Sequence, residues 1–247
     1  MTIGTPNFPD TPPICRITLP LPAPTTRASV YLMRRNPMLP AFAIPPAVWV
    51  LALLCAIPEV VLLGADWGIW GSATWRPLAY TQGAFWAGLL HGWTPNYALQ
   101  PLAMFFTYAW LHASPGHLAG NLAALLWLGP QVVRRRGTGG LMILWCAAML
   151  GGGVAFGLLT HSPAPMVGAS GALFGLAADW VVAEVRRLQQ VRAQVLRGLG
   201  LITLLVALNA AVWGLQGGHL AWETHLGGFL AGLAVVAIGR RHIRPLT

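Results

Sequence analysis

Six apolar stretches in this chain approach or reach the length of a membrane-spanning helix, near 45–64, 115–133, 140–160, 169–184, 198–215 and 222–239. About 20 such residues carry a helix across a hydrocarbon core some 30 Å thick, and the fourth and sixth stretches are short of that. Arginines stand between the stretches. Every one of the 15 basic residues is arginine. With six crossings, Arg16, Arg27, Arg34 and Arg35, then Arg134, Arg135 and Arg136, then Arg186, Arg187, Arg192 and Arg197, and finally Arg240, Arg241 and Arg244 all fall on one side. Arg76 alone falls opposite. Such an excess marks the cytoplasmic face and puts both termini there. The pattern fits a bacterial inner membrane.

Composition narrows the class further. The chain is 56% hydrophobic and 9% charged, whereas about a quarter of a soluble domain is charged. A net charge of +9 is compatible with nucleic-acid binding, but the arginines form short clusters at the ends of apolar runs, with no soluble basic domain to carry them. Cys15, Cys55 and Cys146 are odd in number and widely spaced, which indicates neither a disulfide framework nor a zinc site. No metal or cofactor is implied. Residues 1–40 are proline-rich and predict a disordered cytoplasmic arm. Residues 41–241 form the helical domain, and 242–247 a short tail. The long connection at 65–114 faces outward, its Trp67, Trp70, Trp75, Trp86 and Trp93 suited to the lipid headgroup zone.

Arginines at the lower ends of the spans serve as depth markers. At 1.5 Å per helical residue, Ser170 lies about 24 Å above Arg186, His225 about 22 Å above Arg240, and Asn121 and His117 about 20 and 26 Å above Arg134. Four polar side chains from three helices therefore share one level, several ångströms below the outer surface. The segment 161–169 (HSPAPMVGA) dips to that level as non-helical chain, which a membrane tolerates only where it lines protein or a wet cavity.

Polar and ionisable groups at this depth are costly and mark functional sites. A serine at a helix N-terminus has its own N–H among the unsatisfied donors of the first turn, ready for a developing oxyanion. A histidine at the same depth can act as its base if the helices come close. Gly171 and Gly175 on one span, and Gly228 and Gly232 on another, provide small-residue seams for that approach. Of the acidic residues, Asp179 sits nine residues below Ser170, about 13 Å too deep to orient His225. Glu223 would leave the helix on nearly the opposite side from His225. A dyad is expected, with Glu223 a third member only if its helix starts later. Each residue also has a structural alternative: Ser170 as a small packing residue, His225 as a helix-packing donor, and His117 with Asn121 as a polar clamp. Their common depth and the glycine seams favour the catalytic alternative.

These residues resemble the rhomboid family of intramembrane serine proteases. LHASPGHLAGN (111–121), GASG (168–171) and HLGGFLAG (225–232) are similar to that family's H-x4-H-x3-N, G-x-S-G and H-x2-G-x3-G, in the same order. The resemblance implies an all-α, six-transmembrane-helix bundle with a long outer loop between helices 1 and 2. It implies Ser170 as nucleophile, His225 as base, and His117 and Asn121 as oxyanion donors beside the Ser170 N–H. Gly168, Gly171, Gly228 and Gly232 belong to the matching motifs, and Phe174 falls where the family stacks an aromatic ring on the histidine. The implied activity is cleavage of other proteins in or near a transmembrane helix. Two departures stand out: Thr224 precedes the histidine where alanine is usual, and Ala103-Met104 occupy the usual Trp-Arg position. The competing expectations are a catalytically silent relative that binds transmembrane clients and a transporter with a midplane site, which would call for an inverted repeat.

Overall fold

The computed structural model describes Met1 and residues 43–215 and 220–239. The arm expected at 1–40, beyond Met1, and the tail at 242–247 lie outside the described residues.

Helix α1, Pro46–Asp66, starts at a proline whose missing N–H costs nothing in a first turn. It buries Val48, Leu51, Ala52, Cys55, Glu59 and Leu62 at helical spacing, while Trp49, Val50, Leu53, Leu54, Ile57 and Val60 stay exposed. The exposed face is the one suited to lipid. Two short helices follow, α2 (Trp75–Gly83) and α3 (Gln100–Thr107), with 3-10 turns at Ala87–Leu90 and Tyr108–Trp110. Helix α4, Pro115–Leu159, is capped by Ser114, whose hydroxyl accepts from the His117 N–H. It is broken at Gly137, which adopts φ 73° and ψ 175°, a conformation open to glycine. Both ends of α4 line one cavity, so the chain reverses at that glycine, beside the three arginines. Helices α5 (Ser170–Arg186), α6 (Val191–Leu215) and α7 (Trp222–Ile238) complete the fold. Among the described residues there is no strand, only an isolated bridge between Phe85 and Met166. Helices α1, α4 and α6 are long and apolar enough to cross a membrane.

Glycines set the distances between α4, α5 and α7. A methyl group added at Gly228 would overlap the Gly171 carbonyl, one at Gly232 would collide with the Gly175 backbone, and one at Gly227 with the Gly151 carbonyl. Backbone therefore faces backbone along α5/α7 and α4/α7, which only residues without a Cβ allow. Thr224 fits because Gly152 stands opposite: a Cβ at Gly152 would lie 2.6 Å from the Thr224 hydroxyl.

The connection at 65–114 is folded rather than loose. Phe85, Met104 and Tyr108 are fully buried, and Phe85 meets Phe105, Tyr108 and Phe156 edge to face. Its helices are too short to give a spanning signal, and their apolar partners are distant in sequence. Arg76 fastens this segment to α1. It donates to both Glu59 oxygens at 2.9 and 3.1 Å, to Asp66 at 2.6 Å and to the His112 carbonyl at 3.1 Å, where the Tyr80 hydroxyl also donates. Partial burial works against the guanidinium charge, and the hydrogen bonds to Glu59 and Asp66 outweigh it, so its pKa is raised. Glu59 is 1% exposed, and removing one partner of a buried pair strands the other charge. Glu59→Ala is therefore expected to destabilise the protein by about 3 kcal/mol or more. Arg76→Ala should cost a similar amount, and the double variant clearly less than the two added. Thermal unfolding in detergent micelles checks this, and additive losses would show that the pair is uncoupled.

Candidate active site

Helix α5 begins at Ser170 without a side-chain cap, so the N–H groups of its first turn have no intrahelical partner. The chain leading to it is held in two places. Phe85 and Met166 exchange both main-chain hydrogen bonds at 2.9 Å, and the Gly168 N–H donates to the Tyr108 carbonyl at 2.9 Å. The folded segment 65–114 thus fixes the chain that leads into Ser170. Gly168 has φ +120°, and a Cβ there would lie 2.6 and 2.8 Å from the His117 ring and 3.5 Å from Asn121 Nδ2. A glycine is required by both its conformation and its neighbours.

Ser170 Oγ and His225 Nε2 are 2.8 Å apart. On the other side of the ring, Nδ1 lies 3.0 Å from Asn209 Oδ1 on α6. The Asn209 carbonyl oxygen can only accept, so Nδ1 carries the proton and Nε2 is left to accept from the Ser170 hydroxyl. Phe174, one turn into α5, stacks on the ring with centroids 4.3 Å apart and planes 7° from parallel. His225 is 6% exposed.

His117 has the opposite polarity. The Ala113 N–H donates to its Nδ1 at 3.4 Å, which leaves the proton on Nε2, the nitrogen next to Gly168. Asn121 is 8% exposed, and its Nδ2 is buried with no hydrogen-bond partner in the structure. Such a group is costly unless something occupies its donor position. His112 packs edge-on against His117, and burial, with His117 beside it, pushes its pKa down to about 4. That ring is neutral at physiological pH. A cavity of about 560 Å³, lined among others by His117, Ser162, Met166, Ser170, Trp222 and His225, opens over the pair. A second, largely apolar cavity of about 420 Å³ reaches His225 from the side of Trp127, Leu173, Trp180, Leu205 and Asn209.

The structure thus brings Ser170, His225 and Phe174 into contact, seats Gly168 against His117 and Asn121, and sets Gly171 and Gly228 backbone to backbone just beside the serine and histidine. It keeps the two carboxylates away from the His225 ring nitrogens. Asp179 accepts from Arg135 and Arg136 at 2.5 to 3.0 Å, while Glu223, although buried, makes no hydrogen bond to His225. The partner that sequence reasoning passed over is Asn209. A depth marker exists for it: Asn209 lies 12 residues beyond Arg197, about 18 Å up the helix and close to the level of the serine.

A family model described as the rhomboid domain matches residues 100–242. RHOMBOID-like protein 1 of Arabidopsis thaliana is 32% identical over 127 residues, 51% of this chain and 32% of that protein. Rhomboid protease GluP of Bacillus subtilis (strain 168) is 30% identical over 130 residues, 52% of this chain and 24% of that protein. The match thus spans about a quarter to a third of the relatives' own length. With a domain match over more than half of its residues, holding all three motifs around Ser170 and His225, the chain belongs to the rhomboid family.

Proposed function

We propose that the protein is a multi-pass intramembrane serine endopeptidase that hydrolyses a peptide bond in or near a transmembrane helix of other membrane proteins. The observation that carries this is the 2.8 Å contact between Ser170 Oγ and His225 Nε2 beneath a cavity, with the ring's other nitrogen occupied as a donor. In this reading the chain crosses the bilayer six times, α4 supplying two crossings about Gly137, with both termini in the cytoplasm. A bacterial inner membrane fits the arginine pattern.

Ser170 attacks the scissile carbonyl as its hydroxyl proton passes to His225 Nε2. The oxyanion is received by the Ser170 N–H, His117 Nε2–H and the otherwise idle Asn121 amide. Collapse breaks the C–N bond, and the imidazolium protonates the departing amine, leaving an acyl-enzyme. Water from the cavity gives its proton to His225 and its oxygen to the acyl carbon, which releases the new carboxylate and restores the serine. The attacked bond must be extended, so a substrate segment interrupted by Gly or Pro, the poorest helix formers, is the expected target.

The test is covalent. A fluorophosphonate probe should modify the purified protein once, on the peptide carrying Ser170, and pretreated protein should no longer cut a transmembrane substrate in liposomes. Labelling elsewhere, or cleavage that persists in Ser170→Ala, would refute the reading.

A further inference from the structure

The geometry points to Asn209 as the positioning residue that sets the tautomer of the histidine base, an inference that rests on the protease reading above. A neutral imidazole carries one proton on either nitrogen, and only one choice serves here. With the proton on Nε2, the ring would donate to Ser170 Oγ and could not take its proton. Something beside Nδ1 must therefore hold a proton there, as a carboxylate does in the Ser-His-Asp triad. Among the described residues, the hydrogen-bond partner of Nδ1 is Asn209 Oδ1 at 3.0 Å. The nearby acids do not serve, since Asp179 is committed to two arginines and Glu223 makes no such bond. A neutral acceptor is sufficient for holding that proton.

The surroundings of Asn209 argue that its place is not incidental. Helix α6 turns a narrow stripe toward the protein, with Leu201 buried and Leu205 and Asn209 half-buried at intervals of four, while Ile202, Leu204, Val206, Leu208 and Val212 are exposed. One amide thus sits on the inward stripe of a helix otherwise leucine-lined at this level. A polar side chain there lowers the helix's affinity for lipid, and its oxygen meets the one nitrogen whose protonation decides the direction of the Ser170 hydrogen bond. The ring is then held on three sides, by Ser170 and Phe174 from α5 and by Asn209 from α6.

The test compares Asn209→Asp, Asn209→Leu and Asn209→Ala with wild type in liposomes. Two readouts are taken: the second-order rate of fluorophosphonate labelling at Ser170, and kcat and KM for a transmembrane substrate. Leu keeps the bulk and loses the acceptor, so labelling and kcat should fall about 100-fold with KM nearly unchanged, as for loss of a general base in its working form. Asp keeps the acceptor and should recover most of the loss. Ala repeats the comparison with Asp should Leu fail to fold. Folded Leu or Ala protein that labels at the wild-type rate, or an Asp variant as slow as Ala, would overturn the role of Asn209 while leaving the protease reading intact. Wild type that is never labelled would remove that reading and this inference with it.

Discussion

Replacing both Ser170 and His225 with alanine should cost no more activity than replacing Ser170 alone. The two side chains share one hydrogen bond of 2.8 Å and, in the proposed mechanism, act on one proton in one step. Groups that work as a unit are non-additive when removed. Each single variant should lose about 10⁴-fold or more in kcat, and the double variant should sit at the same floor. Glu223→Gln is the discriminating companion. Glu223 is buried just before the histidine, yet makes no bond to it, so the variant should keep kcat within a few-fold, whereas a third triad member would drop it by orders of magnitude. Progress curves on a transmembrane substrate, with circular dichroism to establish folding, measure all four proteins. Multiplicative losses in the double variant would mean that Ser170 and His225 contribute separately.

The meeting of Ser170 with His225 was legible because arginines ruled off the lower ends of three helices, and because residues spaced by 1.5 Å along a helix convert sequence distance into depth. The glycine seam was legible for a related reason: Gly171, Gly175, Gly228 and Gly232 fall on single helix faces, and helices without Cβ atoms approach until backbones touch. Asn209 is harder to read because it stands on α6, whose arginines lie at its start rather than its end, and because a neutral amide does not announce itself as an ionisable residue does. Glu59 had no legible partner, since Arg76 reaches it from a segment with no spanning signal. That segment's fold depends on Phe85, Met104 and Tyr108 being buried against α4 and the Met166 strap. Such contacts are set by tertiary packing, which periodicity along the chain does not encode.

The seam carries the other large expected effect. A Cβ at Gly228 overlaps the Gly171 carbonyl oxygen and lies within 3.1 Å of the Gly171 Cα. Both are backbone atoms of α5, so no side chain can swing aside, and relief comes only if α7 moves away from α5. Ser170 precedes Gly171 and His225 lies three residues before Gly228, so that displacement acts almost directly on the contact between Ser170 and His225. A shift of about 1 Å takes a 2.8 Å contact beyond hydrogen-bond range, and misplacement on that scale costs about 100-fold in rate. Gly228→Ala is therefore expected to stay folded and lose about 100-fold in labelling and cleavage. Gly228→Val should be inactive and destabilised by about 1–3 kcal/mol through overpacking. Gly200→Ala provides the contrast: a Cβ there meets nothing within 4 Å, and alanine is the better helix former, so stability should hold or rise by up to about 1 kcal/mol with activity unchanged. If Gly228→Ala were as active as Gly200→Ala, the α5/α7 contact would be shown to yield without moving the dyad, and the glycine would be a packing residue rather than the spacer that sets the distance between nucleophile and base.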